Sequence, residues 1–126
     1  MSEVKLFRRQ DLDLTPRDGI ATVPVVNRGY SENLGAGIGS FEDCAIEWTV
    51  TYDEVLFIME GQFSLRVGDK RYRAGPGDTL WIPRGTALVY EAKERVTFFY
   101  AVSPVQNSPS TAKTTSYPTA PAESVG

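Results

Sequence analysis

One carboxylate stands among aromatic and apolar residues in the string Trp48-Thr49-Val50-Thr51-Tyr52-Asp53-Glu54. In a strand, successive side chains point to opposite faces. Trp48, Val50, Tyr52 and Glu54 then share one side, while Asp53 takes the other and caps a turn. Leu88, Tyr90 and Ala92 share a side of a later segment in the same way. A carboxyl group against apolar neighbours has a raised pKa and can act as a general acid or base. A phenol such as Tyr52 or Tyr90 can orient or protonate an oxygen. Glu54, Tyr52 and Tyr90 are therefore the candidate catalytic residues. Each has a structural reading as well: Glu54 can simply bond a buried tyrosine hydroxyl or an arginine such as Arg66.

Metal chemistry is constrained by composition, because the chain contains no histidine. Glu47 and Glu91 are expected on the solvated outer face. A bulge would turn Glu47 inward, and Glu47, Glu54 and waters would then offer oxygen ligands to Mg²⁺ or Mn²⁺. Cofactors are otherwise unknown, and none is required by any motif. Cys44 is the single cysteine, so an intrachain disulfide is impossible, and no histidine stands by to activate the thiol.

The elements that must position these groups read as short strands. Apolar runs alternate with Gly, Pro, Asp and Asn punctuation. Strands are expected at residues 5–7, 20–26, 34–41, 45–51, 55–59, 63–67, 70–74, 79–82, 87–91 and 95–102. A weak helical turn is expected at residues 8–13. Pro24 assigns its strand to an edge or a bulge. The wholly apolar run Val55 to Met59 suggests burial on both faces. Glu60-Gly61, Gly68-Asp69, Gly75-Pro76-Gly77-Asp78 and Pro83-Arg84-Gly85 are turns. Residues 1–103 form one all-β domain. Residues 104–126 hold four of the eight prolines with many Ser, Thr and Ala, and form a tail. A stretch near Tyr117-Pro118 is expected to lie on the barrel.

The 126 residues carry 13 basic and 16 acidic side chains, a net charge of -3. That balance speaks against a nucleic-acid partner, which requires a concentrated basic face. The basic cluster from Lys70 to Arg73 reads as solvated hairpin decoration. No apolar run approaches the ~20 residues of a membrane helix, and the first ten residues lack the apolar stretch of a secretion signal. A reducing, cytoplasmic location is the default expectation. Gly35-Ala36-Gly37-Ile38-Gly39 lacks dinucleotide-loop spacing, and no glycine loop precedes Lys113-Thr114.

Two spacings point to a particular architecture. Glu54 is followed by six residues and then Gly61; Gly77 is followed by five residues and then Pro83-Arg84-Gly85. These resemble the two motifs of the cupin superfamily, G-x5-H-x-H-x3,4-E-x6-G and G-x5-P-x-G-x2-H-x3-N. The resemblance implies a double-stranded β-helix, a jelly-roll-like barrel. Aligned on it, the first two histidine positions hold Trp48 and Val50, or Glu47 and Thr49. The later histidine position holds Leu88, the asparagine position Ala92, and only Glu54 survives of the metal-ligand set. One carboxylate does not hold a redox metal tightly, which argues against oxygenase chemistry. The string from Trp48 to Glu54 resembles the W-x-x-x-Y-D-E stretch of EutQ-type cupins, the ethanolamine-utilization family, across roughly residues 20–103. That resemblance implies a homodimer, a place in amine or two-carbon metabolism, and the acetate-kinase-like activity ascribed to some members.

Cupin geometry makes the shared side of both strings the barrel interior. Trp48, Val50 and Leu88 then join the list as candidate ligand contacts, although Trp48 can equally be core packing. Apolar walls with one acid and two phenols suit a small organic ligand. Three functions remain open: a small-molecule-binding barrel, an isomerase, lyase or acetate-kinase-like enzyme using Glu54 and tyrosines, and an oligomeric scaffold.

Overall fold

The glycine turns fix where the chain reverses, and nine strands run between or beside them. A computed structural model describes residues 3–106. The expected C-terminal tail from residue 107 onward, with Lys113-Thr114 and Tyr117-Pro118, lies outside the described residues. The strands are β1 (Ile20–Val26), β2 (Gly35–Phe41), β3 (Cys44–Thr49), β4 (Asp53–Glu60), β5 (Phe63–Val67), β6 (Lys70–Ala74), β7 (Thr79–Ile82), β8 (Ala87–Ala92) and β9 (Val96–Ser103). They build a five-stranded sheet in the order β1-β2-β9-β4-β7 and a four-stranded sheet in the order β3-β8-β5-β6. All pairings are antiparallel. Strands close in sequence repeatedly change sheets, as in β2 to β3, β3 to β4 and β4 to β5, so the two sheets wrap one interior. This is the all-β cupin architecture. Among the described residues, no helix is long and apolar enough to cross a membrane.

The interior is filled from both sheets. Leu56, Ile58, Phe98 and Ile82 come from the first, and Phe63, Leu65, Leu88, Tyr90 and Ile46 from the second. The rings of Phe41 and Phe98 meet edge-on with centroids 4.8 Å apart, and Phe63 lies 5.8 Å from Phe98. Pro24 sits in edge strand β1 beside a register irregularity between Pro24 and Val26, as the missing amide proton requires.

Three expectations need correction. Residues 5–7 form no strand; Phe7 instead lies edge-on to Tyr30, with centroids 5.8 Å apart. The helical turn is a 3-10 turn at Arg9–Asp11, tied to the end of β4 by the Arg9–Glu60 ion pair at 2.8 Å. The run from Val55 to Met59 is not buried on both faces. Leu56 and Ile58 are fully buried, but Val55 and Phe57 are 37% and 41% exposed. Hydrophobicity alone could not distinguish a doubly covered strand from one with an uncovered apolar face.

Gly61 joins β4 to β5 at a φ of +85°, in the left-handed region that side chains disfavour. A β-carbon there would also collide with the backbone carbonyl oxygen of Arg95. Gly61→Ala is expected to cost about 2 kcal/mol or more. The readout is the urea midpoint, and an unchanged midpoint would contradict this account of the turn.

Candidate functional site

Glu54 lies near the start of β4, hydrogen-bonded through its backbone neighbours to β9 on one side and β7 on the other. It is paired with Val102 and Ile82. Alternation along β4 turns Glu54 inward with Leu56 and Ile58, and leaves it 6% exposed. Tyr90 reaches it from the opposite sheet. The Tyr90 hydroxyl donates to Glu54 Oε1 at 2.8 Å. Trp48 Nε1 donates to the Tyr52 hydroxyl at 3.2 Å. Trp48 and Tyr52 pack against the core while remaining half-buried. Val50 and Leu88 are buried core residues, 1% and 4% exposed. The structure brings Trp48, Tyr52, Glu54 and Tyr90 into one part of the barrel, but not along one alternating strand: β3 ends at Thr49, the chain bends at residues 51–52, and β4 begins at Asp53 in the other sheet. The partner of Glu54 is a tyrosine rather than Arg66.

The electrostatics follow from burial. Loss of water pushes the Glu54 carboxyl up to about 7, a rise that the Tyr90 hydrogen bond opposes. Tyr52 is pushed up to about 12, first by burial and then by the charge on Glu54. Tyr90 is likewise raised well above its ordinary value, first by burial and then by the charge on Glu54, with Tyr52 contributing. These phenols remain protonated donors across the neutral range. Glu54 is the group that changes charge there.

A tyrosine not anticipated above completes the cluster. Tyr100 on β9 pairs with Leu56 and shares its inward side. Burial and the Glu54 charge raise its pKa as well. Its hydroxyl occupies space that a side chain at Gly37, its cross-strand partner on β2, would fill. Two signals were present in the sequence: Phe98, Tyr100 and Val102 alternate inward, and glycines line the facing strand.

Of the two carboxylates expected on the solvated outer face, Glu47 is there and Glu91 is not. Glu91 is not solvated: it is 9% exposed and held on the outer face of the four-stranded sheet by Arg71 at 3.0 Å and Arg66 at 3.4 Å. Long arginine stems cover it, so the basic hairpin of β5 and β6 is more than decoration. Glu47 is exposed. The β3–β8 register runs without interruption from Cys44 to Thr49, so no bulge turns Glu47 toward Glu54. Among the described residues, no group of three or more Asp, Glu, Cys or His is placed to hold a metal ion. The side chains present do not fit the cupin metal centre. Asp53 accepts a hydrogen bond from the Arg84 amide at 2.9 Å, capping the distant Pro83-Arg84-Gly85 turn rather than the bend that precedes it. Cys44 is free, and burial pushes its thiol up to about 12.

Sequence relatives carry the same barrel. Residues 1–108 match the family model described as ethanolamine utilisation protein EutQ. The chain belongs to the EutQ family. A relative named acetate kinase EutQ from Clostridioides difficile (strain 630) is 24% identical over 102 residues, covering 80% of this chain and 65% of that protein. A protein of the same name from Escherichia coli (strain K12) is 29% identical over 85 residues, covering 68% of this chain and 36% of that protein. The chain thus spans between about one third and two thirds of those EutQ relatives. A solved structure from Salmonella typhimurium LT2, bearing the name ethanolamine utilization protein Q, superposes with a TM-score of 0.75 at 23% identity. It covers 82% of this chain and 88% of that one. That likeness establishes the shared fold.

The Glu54 titration has a measurable consequence. The folded carboxyl titrates near 7, whereas an unburied glutamate titrates near 4.5. Between those values the folded state binds more protons than the unfolded state, so stability falls as pH rises from about 4.5 to about 7, then levels. The drop attributable to this residue is on the order of 3 kcal/mol. Glu54→Gln keeps the shape and an acceptor for Tyr90 without the charge. It is expected to be more stable than the parent at pH 8 and close to it at pH 4.5, measured by urea unfolding. A variant equally destabilised at both pH values would contradict the assigned titration.

Proposed function

We propose that the barrel binds a small organic metabolite beside Glu54, and that it serves amine or small-carbon catabolism in the cytoplasm. The observation that carries this reading is one acid, held by a single tyrosine inside an otherwise apolar barrel, next to inward residues that still touch solvent. Glu54 Oε1 takes the Tyr90 bond, leaving Oε2 for a ligand. Trp48, Tyr52, Val50 and Leu88 supply the surrounding surface. Membership of the EutQ family supports the metabolic setting. The test is a metabolite screen by thermal shift on the full chain, followed by calorimetry of any hit. A genuine ligand is expected to lose at least tenfold in affinity with Glu54→Gln. Hits that bind the variant equally well would place binding elsewhere.

The second reading is catalytic. Glu54 titrates near neutrality, which suits proton transfer in an isomerase or lyase, and the relatives' name supports assaying acetyl phosphate formation from acetate and ATP. In a proton-transfer enzyme, Glu54→Gln removes turnover while the fold persists.

The protein is also proposed to be a homodimer through the outer face of its five-stranded sheet. Val55 and Trp81 are cross-strand partners there, as are Phe57 and Phe99. Trp81 is 62% exposed and Phe99 37%. A contiguous aromatic patch of this kind is characteristic of association surfaces. Trp81→Glu with Phe57→Glu is expected to halve the mass seen by light scattering at micromolar concentration. An unchanged mass would remove this face from any dimer.

A further inference from the structure

The interior holds an acid, Glu54, without a cationic side chain beside it. Every recorded arginine ion pair lies away from it: Arg9 with Glu60, Arg17 with Asp13, Arg66 and Arg71 with Glu91, and Arg95 with Glu42. The groups that act on Glu54, Tyr52, Tyr90 and Tyr100 are one another and Trp48, with no lysine or arginine among them. A buried carboxylate without a cation is costly and takes up a proton more readily, so a cation seated beside Glu54 would stabilise its ionised form. An anionic ligand would meet like charge.

The wall chemistry narrows the cation. Tyr90 bonds the carboxylate, Tyr52 and Tyr100 lie close enough to feel its charge, and Trp48 is bonded to Tyr52. Aromatic faces attract cations, most strongly the indole. Among the described residues, no group of three or more Asp, Glu, Cys or His is placed to hold a metal ion, so a divalent metal would have to take most of its ligands from water. An ammonium needs less: one carboxylate oxygen, π faces and phenolic lone pairs. Glu54 Oε2 has no hydrogen bond. Among the described residues, Ser40 Oγ alone is both sealed and without a partner, so Oε2 keeps an opening toward solvent.

We propose that the barrel's ligand is a small organic ammonium, its nitrogen on Glu54 Oε2 and its carbons among Trp48, Tyr52 and Tyr100. This rests on the small-molecule reading above and names the ligand's class. A hydroxyl or similar group on the same molecule would find the phenols as hydrogen-bond partners.

The test compares near-isosteres by calorimetry on the full chain: ethanolamine, choline, neutral ethylene glycol and anionic glycolate. At pH 8 at least one ammonium is expected to bind, with glycol and glycolate at least tenfold weaker. Binding is expected to weaken on the order of a hundredfold by pH 5, because the cation requires the ionised carboxylate. The groups facing Glu54 from β8, the β3–β4 connection and β9 are the phenols of Tyr90, Tyr52 and Tyr100, which keep their protons throughout this range. Glu54→Gln abolishes the preference for the ammonium, and Trp48→Leu weakens it several-fold through the lost indole face. Glycol or glycolate binding as tightly as the ammoniums overturns the proposal, as does an affinity that rises toward acid. If neither ammonium binds while another screened metabolite does, the ammonium class is wrong and the small-molecule reading stands. If no compound binds in either experiment, both fall.

Discussion

The two-residue period of β4 is the constraint on which the rest of the molecule turns. β4 is hydrogen-bonded on both edges, to β9 and β7, so its side-chain directions are locked from two sides. That register sends Glu54, Leu56 and Ile58 inward and Val55 and Phe57 outward. A slip by one residue would drive two large apolar side chains from the surface into the barrel and expel the only acid from it. The candidate site and the aromatic outer face are therefore two consequences of one pairing decision.

Around that strand, the interior is arranged so that an acid can be tolerated. Tyr90 crosses from the other sheet to satisfy one oxygen, and Trp48 satisfies Tyr52. Gly37 leaves the space that Tyr100 occupies. The polar groups form a short chain from half-buried Trp48 and Tyr52 to the buried carboxylate rather than isolated burdens in an apolar core. The four-stranded sheet handles its own acid differently: Glu91 is neutralised by two guanidinium groups. One carboxylate is closed by the protein's own cations and the other is not, and that contrast gives Glu54 its functional interest.

Much of this was legible in the residues. Gly68-Asp69 marked the β5–β6 hairpin, Gly61, Gly77 and Pro83-Arg84-Gly85 marked crossings between the sheets, and alternation from Leu88 to Ala92 marked an inward face. What alternation could not supply was coverage. Val55 and Phe57 look like core because they are apolar, and Glu91 looks solvated because it is charged. Their environments depend on which long side chains from another strand fold over them. Tyr100 was overlooked because its strand offered no motif, although its facing glycines were visible. Glu47 depended on whether β3 is bulged, a backbone property that single residue types do not encode.

The lone cysteine carries a practical consequence. With its thiol held near 12 by burial, only about one molecule in ten thousand presents a thiolate at pH 8. Alkylating reagents then react slowly with the resting barrel, and any fraying of the β3 end from β8 quickens the reaction. Cys44 is in effect a built-in clock for the breathing of the wall that carries Trp48.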